Sequence, residues 1–391
     1  MSISLLVASN DEHFRETVRE NLASIAGSRL AGEYPEVVPN LYIRVLQDLE
    51  RHPDAGLVLD LASDPEGAIK ILEKIKQAAP HLYVIASNYQ ADGDAVIASV
   101  RAGANDFLVQ PIRRLDLREA IGRFEKAPKH VGPVASRLGK VYAFLGVKGG
   151  VGTTAMAVNF AGVLAQRKQN TVLVDVDWTA NDAAQQLGVT PQSTLVEIGE
   201  NLERMDQQLF EGFVTRDPLG FFLVGPPDSL ENTGYFTEPM FREFATFLVE
   251  KYDSVVVDLG TNITSELGTG ALQVASQVFL VMTQELPAIR NAQRYLGYLL
   301  RMGFSQDQVK ILVNQYQKKP SAQFASLEQI QSTLNMKVFY GIPSSPAVLA
   351  SINKSRPFIS NREAAGDLDR VFRLFVDKAT GRHKEDVAKS A

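Results

Sequence analysis

Three glycines, one lysine and two threonines fall within the seven residues from Lys148 to Thr154, with the sequence Lys-Gly-Gly-Val-Gly-Thr-Thr. An apolar run, 141–147, precedes them and a helix-compatible stretch, 155–168, follows them. A glycine-rich turn between a strand and a helix lets backbone N–H groups converge on an anion, at the positive end of the helix dipole. The segment therefore predicts a phosphate-binding loop. The alternative is a purely structural turn, in which the glycines serve only to adopt positive φ. Such a turn would require neither the lysine nor the hydroxyls.

The segment departs from the usual P-loop, which ends in Gly-Lys-Ser/Thr, with the lysine on the outer phosphates and the hydroxyl on magnesium. Thr154 can supply that hydroxyl, but Thr153 occupies the lysine position, and the lysine of this loop is Lys148 at its front end. The arrangement resembles the deviant P-loop of the MinD/ParA ATPases, in which such a lysine reaches a phosphate across a dimer interface. The resemblance implies a homodimer that binds ATP and Mg²⁺, with nucleotide contacts from Lys148, Gly149, Gly150, Val151, Gly152, Thr153 and Thr154.

Carboxylates close two later apolar runs. Asp175 and Asp177 end the run that starts at 171, and Asp258 ends the run 252–257. Alternate residues of a strand share a face, so Asp175 and Asp177 can point the same way. An acid at the second strand of a P-loop site typically holds magnesium. Acids that merely end a strand are the alternative, and they rarely occur as a pair directly after a P-loop helix.

The same resemblance assigns roles to these residues. It implies that Thr154, Asp175 and Asp258 surround Mg²⁺, and that Lys148 and Asp177 are the catalytic residues, with Asp177 positioning the attacking water. Asn314, which follows an apolar run at 311–313, matches the asparagine that contacts adenine, although an asparagine often makes a simple turn at a strand end. The segment 258–262 resembles switch II but lacks its usual Asp-x-Pro.

Composition restricts the classes to which the chain can belong. Its 391 residues favour two domains, and 45% hydrophobic with 22% charged residues is ordinary globular composition. The net charge of -5 argues against a nucleic-acid-binding surface over the whole protein, although it does not exclude a local basic patch. Cysteine is absent, which excludes disulfides, thiolate catalysis and iron–sulfur ligation, and the five histidines lack ligand spacing. We expect no metal other than magnesium.

No membrane segment is expected either. The first residues lack the basic flank and long apolar core of a signal peptide. Every apolar run is far shorter than the ~20 residues of a membrane helix. We therefore expect a cytoplasmic protein that associates with membranes only through its partners.

Residues 1–127 alternate apolar runs with helix-compatible stretches, which predicts a parallel sheet with helices on both faces. Functional groups in such sheets gather at strand carboxyl ends, where Ser9, Asn10, Asp60, Ser87 and Gln110 are expected. The order resembles a response-regulator receiver domain, in which Asp60 matches the phosphoacceptor, Ser87 the switch hydroxyl and Gln110-Pro111 the usual Lys-Pro.

The receiver-like chemistry is altered in two places. Ser9 and Asn10 replace the acidic pair that holds magnesium, with Asp11 as a partial substitute, and Gln110 replaces the lysine. Phosphoryl transfer depends on such cations, so we interpret residues 1–127 as a pseudo-receiver that dimerises or recruits proteins, with Asp60 unused as a phosphoacceptor. For Asp60 itself we expect the more frequent role, a solvated carboxylate at a strand end.

The segment 126–139 carries prolines and glycines without periodicity, which predicts a linker at 128–137 and a second domain at 138–391. Further apolar runs start near 221, 278, 310 and 338 and fit a long doubly wound sheet. The predicted fold class is therefore α/β. It comprises a receiver-like, flavodoxin-like domain followed by a MinD/ParA-type P-loop domain with a mostly parallel sheet.

Domain order makes the resemblance more specific. With the altered P-loop, the receiver-like front domain and the segments 283–294 and 341–353, the chain resembles the CpaE/TadZ family of pilus-assembly proteins. That resemblance implies an ATP-binding spatial organiser with slow or absent hydrolysis. It also implies partners in the pilus and secretion machinery, including the secretion ATPase, and polar landmark proteins. The implied location is a cell pole or the inner-membrane pilus machinery.

Two other functions stay open. A nucleotide-independent scaffold would keep the glycine loop as architecture, but it would not need the magnesium set of Thr154 and three aspartates. A DNA-partition ATPase would be favoured by a lysine at position 153 and a strong basic surface. Arg290, Arg294 and Arg301 share one helical face, which a solvated surface also explains, so we expect no specific nucleic acid. The apolar residues of 368–375 predict an amphipathic helix that packs on the core rather than anchoring in a membrane.

Overall fold

The computed structural model describes residues 3–38, 40–89, 93–127, 138–227, 235–317 and 324–382. The chain forms two compact units, 1–137 and 138–391. The linker predicted for 128–137 lies outside the described residues.

The first unit is a five-stranded parallel sheet in the order β2-β1-β3-β4-β5, the doubly wound order of flavodoxin-like folds. Its strands are β1 (Ile3–Ala8), β2 (Ser28–Tyr34), β3 (Gly56–Asp60), β4 (Val84–Asn88) and β5 (Asp106–Val109). Its helices are α1 (Glu12–Ala23), α2 (Leu41–Arg51), α3 (Pro65–Ala78), α4 (Gly93–Arg101) and α5 (Arg114–Lys126).

Amphipathic helices close the core of this unit. Phe14, Val18 and Leu22 recur every fourth residue along α1, and they pack with Leu117 and Ile121 of α5 against the sheet. Strand β2 and helix α2 add a further pair to the alternation expected for residues 1–127. Strand β2 carries no continuous apolar run because it lies at the sheet edge, where most of its side chains are only half-buried.

The second unit contains an eight-stranded sheet in the order β13-β12-β11-β6-β10-β7-β9-β8. Its strands are β6 (Lys140–Gly146), β7 (Thr171–Asp175), β8 (Thr215–Arg216), β9 (Phe222–Val224), β10 (Ser254–Asp258), β11 (Gln277–Met282), β12 (Val309–Tyr316) and β13 (Val338–Pro343). Neighbouring strands are parallel except for the short pair β8 and β9. The predicted α/β class with a mostly parallel sheet is confirmed.

This unit contains eleven helices among the described residues, the last three of them after β13: α6 (Thr153–Gln166), α7 (Asp182–Leu187), α8 (Leu195–Glu200), α9 (Gln207–Phe213), α10 (Glu238–Lys251), α11 (Glu266–Val274), α12 (Leu286–Arg301), α13 (Leu327–Leu334), α14 (Pro346–Asn353), α15 (Arg362–Ala365) and α16 (Asp367–Thr380). Short 3₁₀ turns lie at Leu202–Arg204 and Phe358–Ser360. Most of α6 is buried, which explains why its sequence is apolar on several faces.

Aromatic side chains tie α6 and α16 to the middle of the sheet. Phe160 of α6 lies 5.7 Å from Phe375 of α16, and Phe144 of β6 lies 4.8 Å from Phe279 of β11, between ring centroids. Phe372 and Phe375 are fully buried. The prediction that the C-terminal amphipathic helix packs on the core is confirmed. Over the part of the chain that is described, no helix is both long and apolar enough to cross a membrane.

Candidate functional site

The loop between β6 and α6 has the backbone of an anion-binding turn. Gly150 and Gly152 have φ values of 80° and 85°, which side-chain-bearing residues rarely adopt. Helix α6 starts at Thr153 without a side-chain cap from Gly152. Its first N–H groups therefore lack the usual capping oxygen and are suited to bind an external anion.

Thr153 does not direct its hydroxyl toward open space. A Cβ atom added at Gly146 would collide with the Thr153 hydroxyl, so that group faces the end of β6. The side chain is also buried. At the position of the usual P-loop lysine, the chain therefore has a short side chain that is directed into the protein.

Asp175 and Asp258 lie side by side at the ends of β7 and β10. Asp175 accepts hydrogen bonds from the N–H groups of Asp177, at 2.9 Å, and Ala183, at 3.2 Å. Asp258 Oδ1 accepts from the Gly260 N–H at 3.1 Å, whereas Asp258 Oδ2 is buried without a hydrogen-bond partner. Burial, reinforced by the charge of Asp258, raises the pKa of Asp175 well above its ordinary value.

A divalent cation fits this pair. Burial raises the pKa of Asp258 to about 6, and the nearby Thr154 hydroxyl acts in the opposite direction. An orphaned, buried carboxylate oxygen next to a threonine hydroxyl matches the oxygen ligands that Mg²⁺ prefers. No cluster of three or more His, Cys, Asp or Glu residues suited to a metal occurs among the described residues. Magnesium in phosphate sites needs only one or two carboxylates, because water and phosphate oxygens complete its shell.

Asp177 joins the two loops that follow β7 and β10. Its Oδ1 accepts from Thr179 Oγ1 at 2.6 Å and from Asn262 Nδ2 at 3.5 Å. Gly260, at φ 53°, leaves room for the Asp177 carboxylate, with which a Cβ atom there would collide. The predicted water-positioning acid thus connects the candidate switch loops 175–179 and 258–262.

The glycine loop and Asp177 line one cavity of about 840 Å³, which is large enough for a nucleotide. Its far wall comes from the end of β13 and from α14, where Pro343, Val348 and Ile352 provide an apolar surface. Sequence reasoning did not assign these residues to the site. Their position after the carboxyl end of a parallel strand was the available signal.

Asn314 lies between this cavity and the glycine loop. Its Nδ2 donates to the Val151 carbonyl at 2.7 Å, and the neighbouring Gln315 donates from Nε2 to the Gly150 carbonyl at 3.1 Å. A Cβ atom at Gly152 would approach Asn314 Nδ2 to 2.5 Å. The end of β12 therefore holds the loop in place, a role of Asn314 that the sequence did not reveal. Its contact with adenine stays a prediction.

Lys148 is the one basic side chain among the described residues that line the cavity. Its Nζ pairs with Glu285 Oε2 at 3.0 Å, and the two side chains are 34% and 42% exposed. Asp177 and Asp182 also line the cavity. Acidic side chains therefore outnumber basic ones among these lining residues, so a bound cation would favour phosphate binding there.

In the first unit, Asp60 is buried and fully engaged in hydrogen bonds. Its Oδ2 accepts from Ser9 Oγ at 2.6 Å and its Oδ1 from Gln110 Nε2 at 2.7 Å and the Ala62 N–H at 2.9 Å. The expectation of a solvated carboxylate is wrong, because Ser9 and Gln110 donate hydrogen bonds to Asp60 and cover it. Asp11, the expected partial substitute for the acidic pair, caps α1 by accepting a hydrogen bond from the His13 N–H.

Comparisons with known proteins concern mainly the second unit. Residues 142–358 match the family model of the CobQ/CobB/MinD/ParA nucleotide binding domain. The septum site-determining protein MinD of Thermotoga maritima is 24% identical over 228 residues, which are 57% of this chain and 82% of MinD. A ParA family ATPase from Chlorobium tepidum superimposes with a TM-score of 0.56 at 21% identity, over 62% of this chain and 98% of that one. MinD from Pyrococcus horikoshii, solved with Mg-ADP, gives 0.54 at 16% identity, over 62% and 96%.

Proposed function

Because this chain belongs to the CobQ/CobB/MinD/ParA nucleotide-binding domain family, we propose that it is an ATP-binding spatial organiser. In this proposal Mg²⁺ and ATP bring two copies together through Lys148, and hydrolysis is slow or absent. The organiser localises pilus-assembly or secretion machinery at a cell pole or at the inner membrane, together with the secretion ATPase and polar landmark proteins.

One observation carries the nucleotide part of the proposal. The orphaned oxygen of Asp258, the Thr154 hydroxyl and the uncapped start of α6 all belong to one site. The loop N–H groups would bind the phosphates, Thr154 and Asp258 would hold Mg²⁺, and Asp175 would support that carboxylate from the next strand. When bound, the metal supplies positive charge to the phosphate oxygens.

The missing lysine separates binding from catalysis. A lost charged contact costs about 1.5–3 kcal/mol, or roughly 10- to 100-fold in affinity, so a micromolar site would still bind at cellular ATP concentrations. Hydrolysis suffers more, because a lysine at position 153 would stabilise charge that develops in the transition state. Asp177 remains to orient a water molecule, held by Thr179 and Asn262.

For the first unit we propose a pseudo-receiver that dimerises or recruits partners. Its five-stranded order β2-β1-β3-β4-β5 and the position of Asp60 at the end of β3 support the receiver-like part. The hydrogen bonds from Ser9 and Gln110 to Asp60 support a role without phosphorylation. Deleting 1–127 and following the pilus machinery in cells tests recruitment. We expect mislocalised machinery, and normal localisation and assembly would contradict recruitment.

A nucleotide-independent scaffold is the second candidate, and the pairing of Lys148 with Glu285 in its own subunit favours it. The DNA-partition function has less support. Arg290, Arg294 and Arg301 are exposed on α12, opposite its buried face, where any solvated helix would carry charge.

Calorimetric titration of ATP, with magnesium and with EDTA, into the wild-type protein and Asp258→Asn separates the two leading candidates. The organiser requires magnesium-dependent binding that Asp258→Asn weakens at least about 10-fold. No binding by either protein at millimolar ATP would support the scaffold, whereas equal binding by both proteins would contradict the role of Asp258.

A further inference from the structure

The start of α12 holds the front of the glycine loop at two points. Lys148 Nζ pairs with Glu285 Oε2 at 3.0 Å, where Glu285 is the residue immediately before the helix. Six residues further along, within α12, Asn291 Nδ2 donates to the Val147 carbonyl at 3.0 Å. The Asn291 hydrogen bond fixes the backbone before Lys148. The ion pair with Glu285 then sets the direction of the lysine side chain.

These contacts compete with the proposed dimer. A lysine that reaches a phosphate on a partner subunit must leave a carboxylate that lies 3.0 Å away in its own subunit. The release would also leave Glu285 unpaired close to incoming phosphates. Both consequences oppose dimerisation, whereas Asn291 could keep its bond to the backbone throughout.

We propose that Glu285 is a positioning residue that retains Lys148 in its own subunit until nucleotide-bridged dimerisation releases it. The inference rests on the proposed function, because it needs Lys148 to act across the dimer. The restraint adds a free-energy cost to dimerisation, because a symmetric dimer must break two Lys148–Glu285 pairs. It also makes the beginning of α12 the segment that reports whether Lys148 is engaged.

The expected size of the effect follows from the exposure of the pair. Ion pairs between partly exposed side chains shift an equilibrium by about 1.5- to 5-fold. Two pairs are lost per dimer, so removal of Glu285 should tighten the dimerisation constant by about 2- to 25-fold. High salt should reduce this difference, because it screens the ion pair.

Sedimentation equilibrium with Mg-ATP tests the proposal on four full-length proteins: wild type, Glu285→Gln, Lys148→Ala and the double variant. Glu203→Gln, which removes another exposed glutamate of the second unit, controls for the change in net charge. We expect Glu285→Gln alone to dimerise more tightly than wild type, Glu203→Gln to match wild type, and Glu285→Gln to have no effect once Lys148 is alanine.

The other outcomes distinguish failure of the Glu285 inference from failure of the proposed function. If Lys148→Ala weakens the dimer but Glu285→Gln leaves it unchanged or weaker, Glu285 does not restrain Lys148 and only this inference fails. It also fails alone if Glu285→Gln acts equally in the Lys148→Ala background, because the effect of Glu285 would then not pass through Lys148. If Lys148→Ala dimerises like wild type, the proposed function fails and this inference fails with it.

Discussion

Asp175 and Asp258 are register partners on the adjacent parallel strands β7 and β10, and both side chains are fully buried. Two carboxylates in this arrangement repel each other when both are charged, and burial penalises the charge of each. Burial raises the pKa of each, that of Asp258 to about 6, and the charge of Asp258 raises the pKa of Asp175 further. A bound divalent cation removes the penalty, which links the protonation of this pair to ligand binding.

Affinity for Mg-ATP should depend on pH. Magnesium binds the deprotonated carboxylates, so protons and metal compete for Asp258. Titration calorimetry should give weaker Mg-ATP binding as the pH falls through about 6. Asp258→Asn should bind weakly at every pH, and a wild-type affinity that is flat across this range would contradict the assignment of Asp258.

The free energy of unfolding of the nucleotide-free protein should fall as the pH rises, whereas affinity for Mg-ATP should increase. A folded-state pKa above the unfolded value means that the folded state holds the proton more tightly, so this contribution is present at low pH and is lost as the pH rises through about 6. Asp258→Asn, which keeps the shape without the charge, should therefore stabilise the nucleotide-free protein at neutral pH by about 1–3 kcal/mol. Urea unfolding measures the difference, and a destabilised variant would show that the buried charge is compensated within the protein.

Thr153→Lys should restore the phosphate-binding lysine that the usual P-loop has at this position. The new ammonium group can reach the phosphates once its side chain turns away from Gly146, and affinity for Mg-ATP should rise about 10- to 100-fold. Phosphate release should accelerate by at least a similar factor. Thr153→Ala is the matched control, because it removes the hydroxyl without adding charge and should leave affinity within about 3-fold of wild type. A lysine variant that resembles the alanine variant would contradict the explanation of slow hydrolysis.

Gln110→Ala should destabilise the first unit by about 1.5–3 kcal/mol, because it removes a hydrogen bond to a buried carboxylate. Gln77→Ala, at an exposed position of α3, should have little effect on the same unfolding transition. Incubation of the wild-type protein with acetyl phosphate and magnesium should leave its intact mass unchanged. Addition of a phosphoryl group at Asp60 would contradict the pseudo-receiver interpretation.

Sequence periodicity was sufficient for the elements that lie inside each sheet. Strands β1, β3, β7 and β10 are continuous apolar runs because both faces are covered, and the glycine loop is evident from its residue types. The same periodicity did not identify elements at the sheet edges. Strand β2 is half-exposed and contains glycine, so its sequence lacks both an apolar run and clear alternation.

The parts of the site that sequence reasoning missed depend on contacts between distant segments. Glu285 meets Lys148 only because β11 lies next to β6 in the sheet. Asp60 is buried because Ser9 and Gln110, from two other strand ends, converge on it. No local pattern encodes such pairs, since residue identity at each position is compatible with a solvated side chain.

In the proposed dimer, Mg-ATP joins two subunits through Lys148. Calorimetric titration of Mg-ATP and Mg-ADP into the wild-type protein and Lys148→Ala, with light scattering to report mass, tests it most directly. We expect ATP, and not ADP, to double the mass of the wild-type protein, and Lys148→Ala to remain monomeric at the protein concentration at which wild type dimerises. A mass that stays monomeric with saturating Mg-ATP, or a Lys148→Ala protein that still dimerises, would contradict the claim.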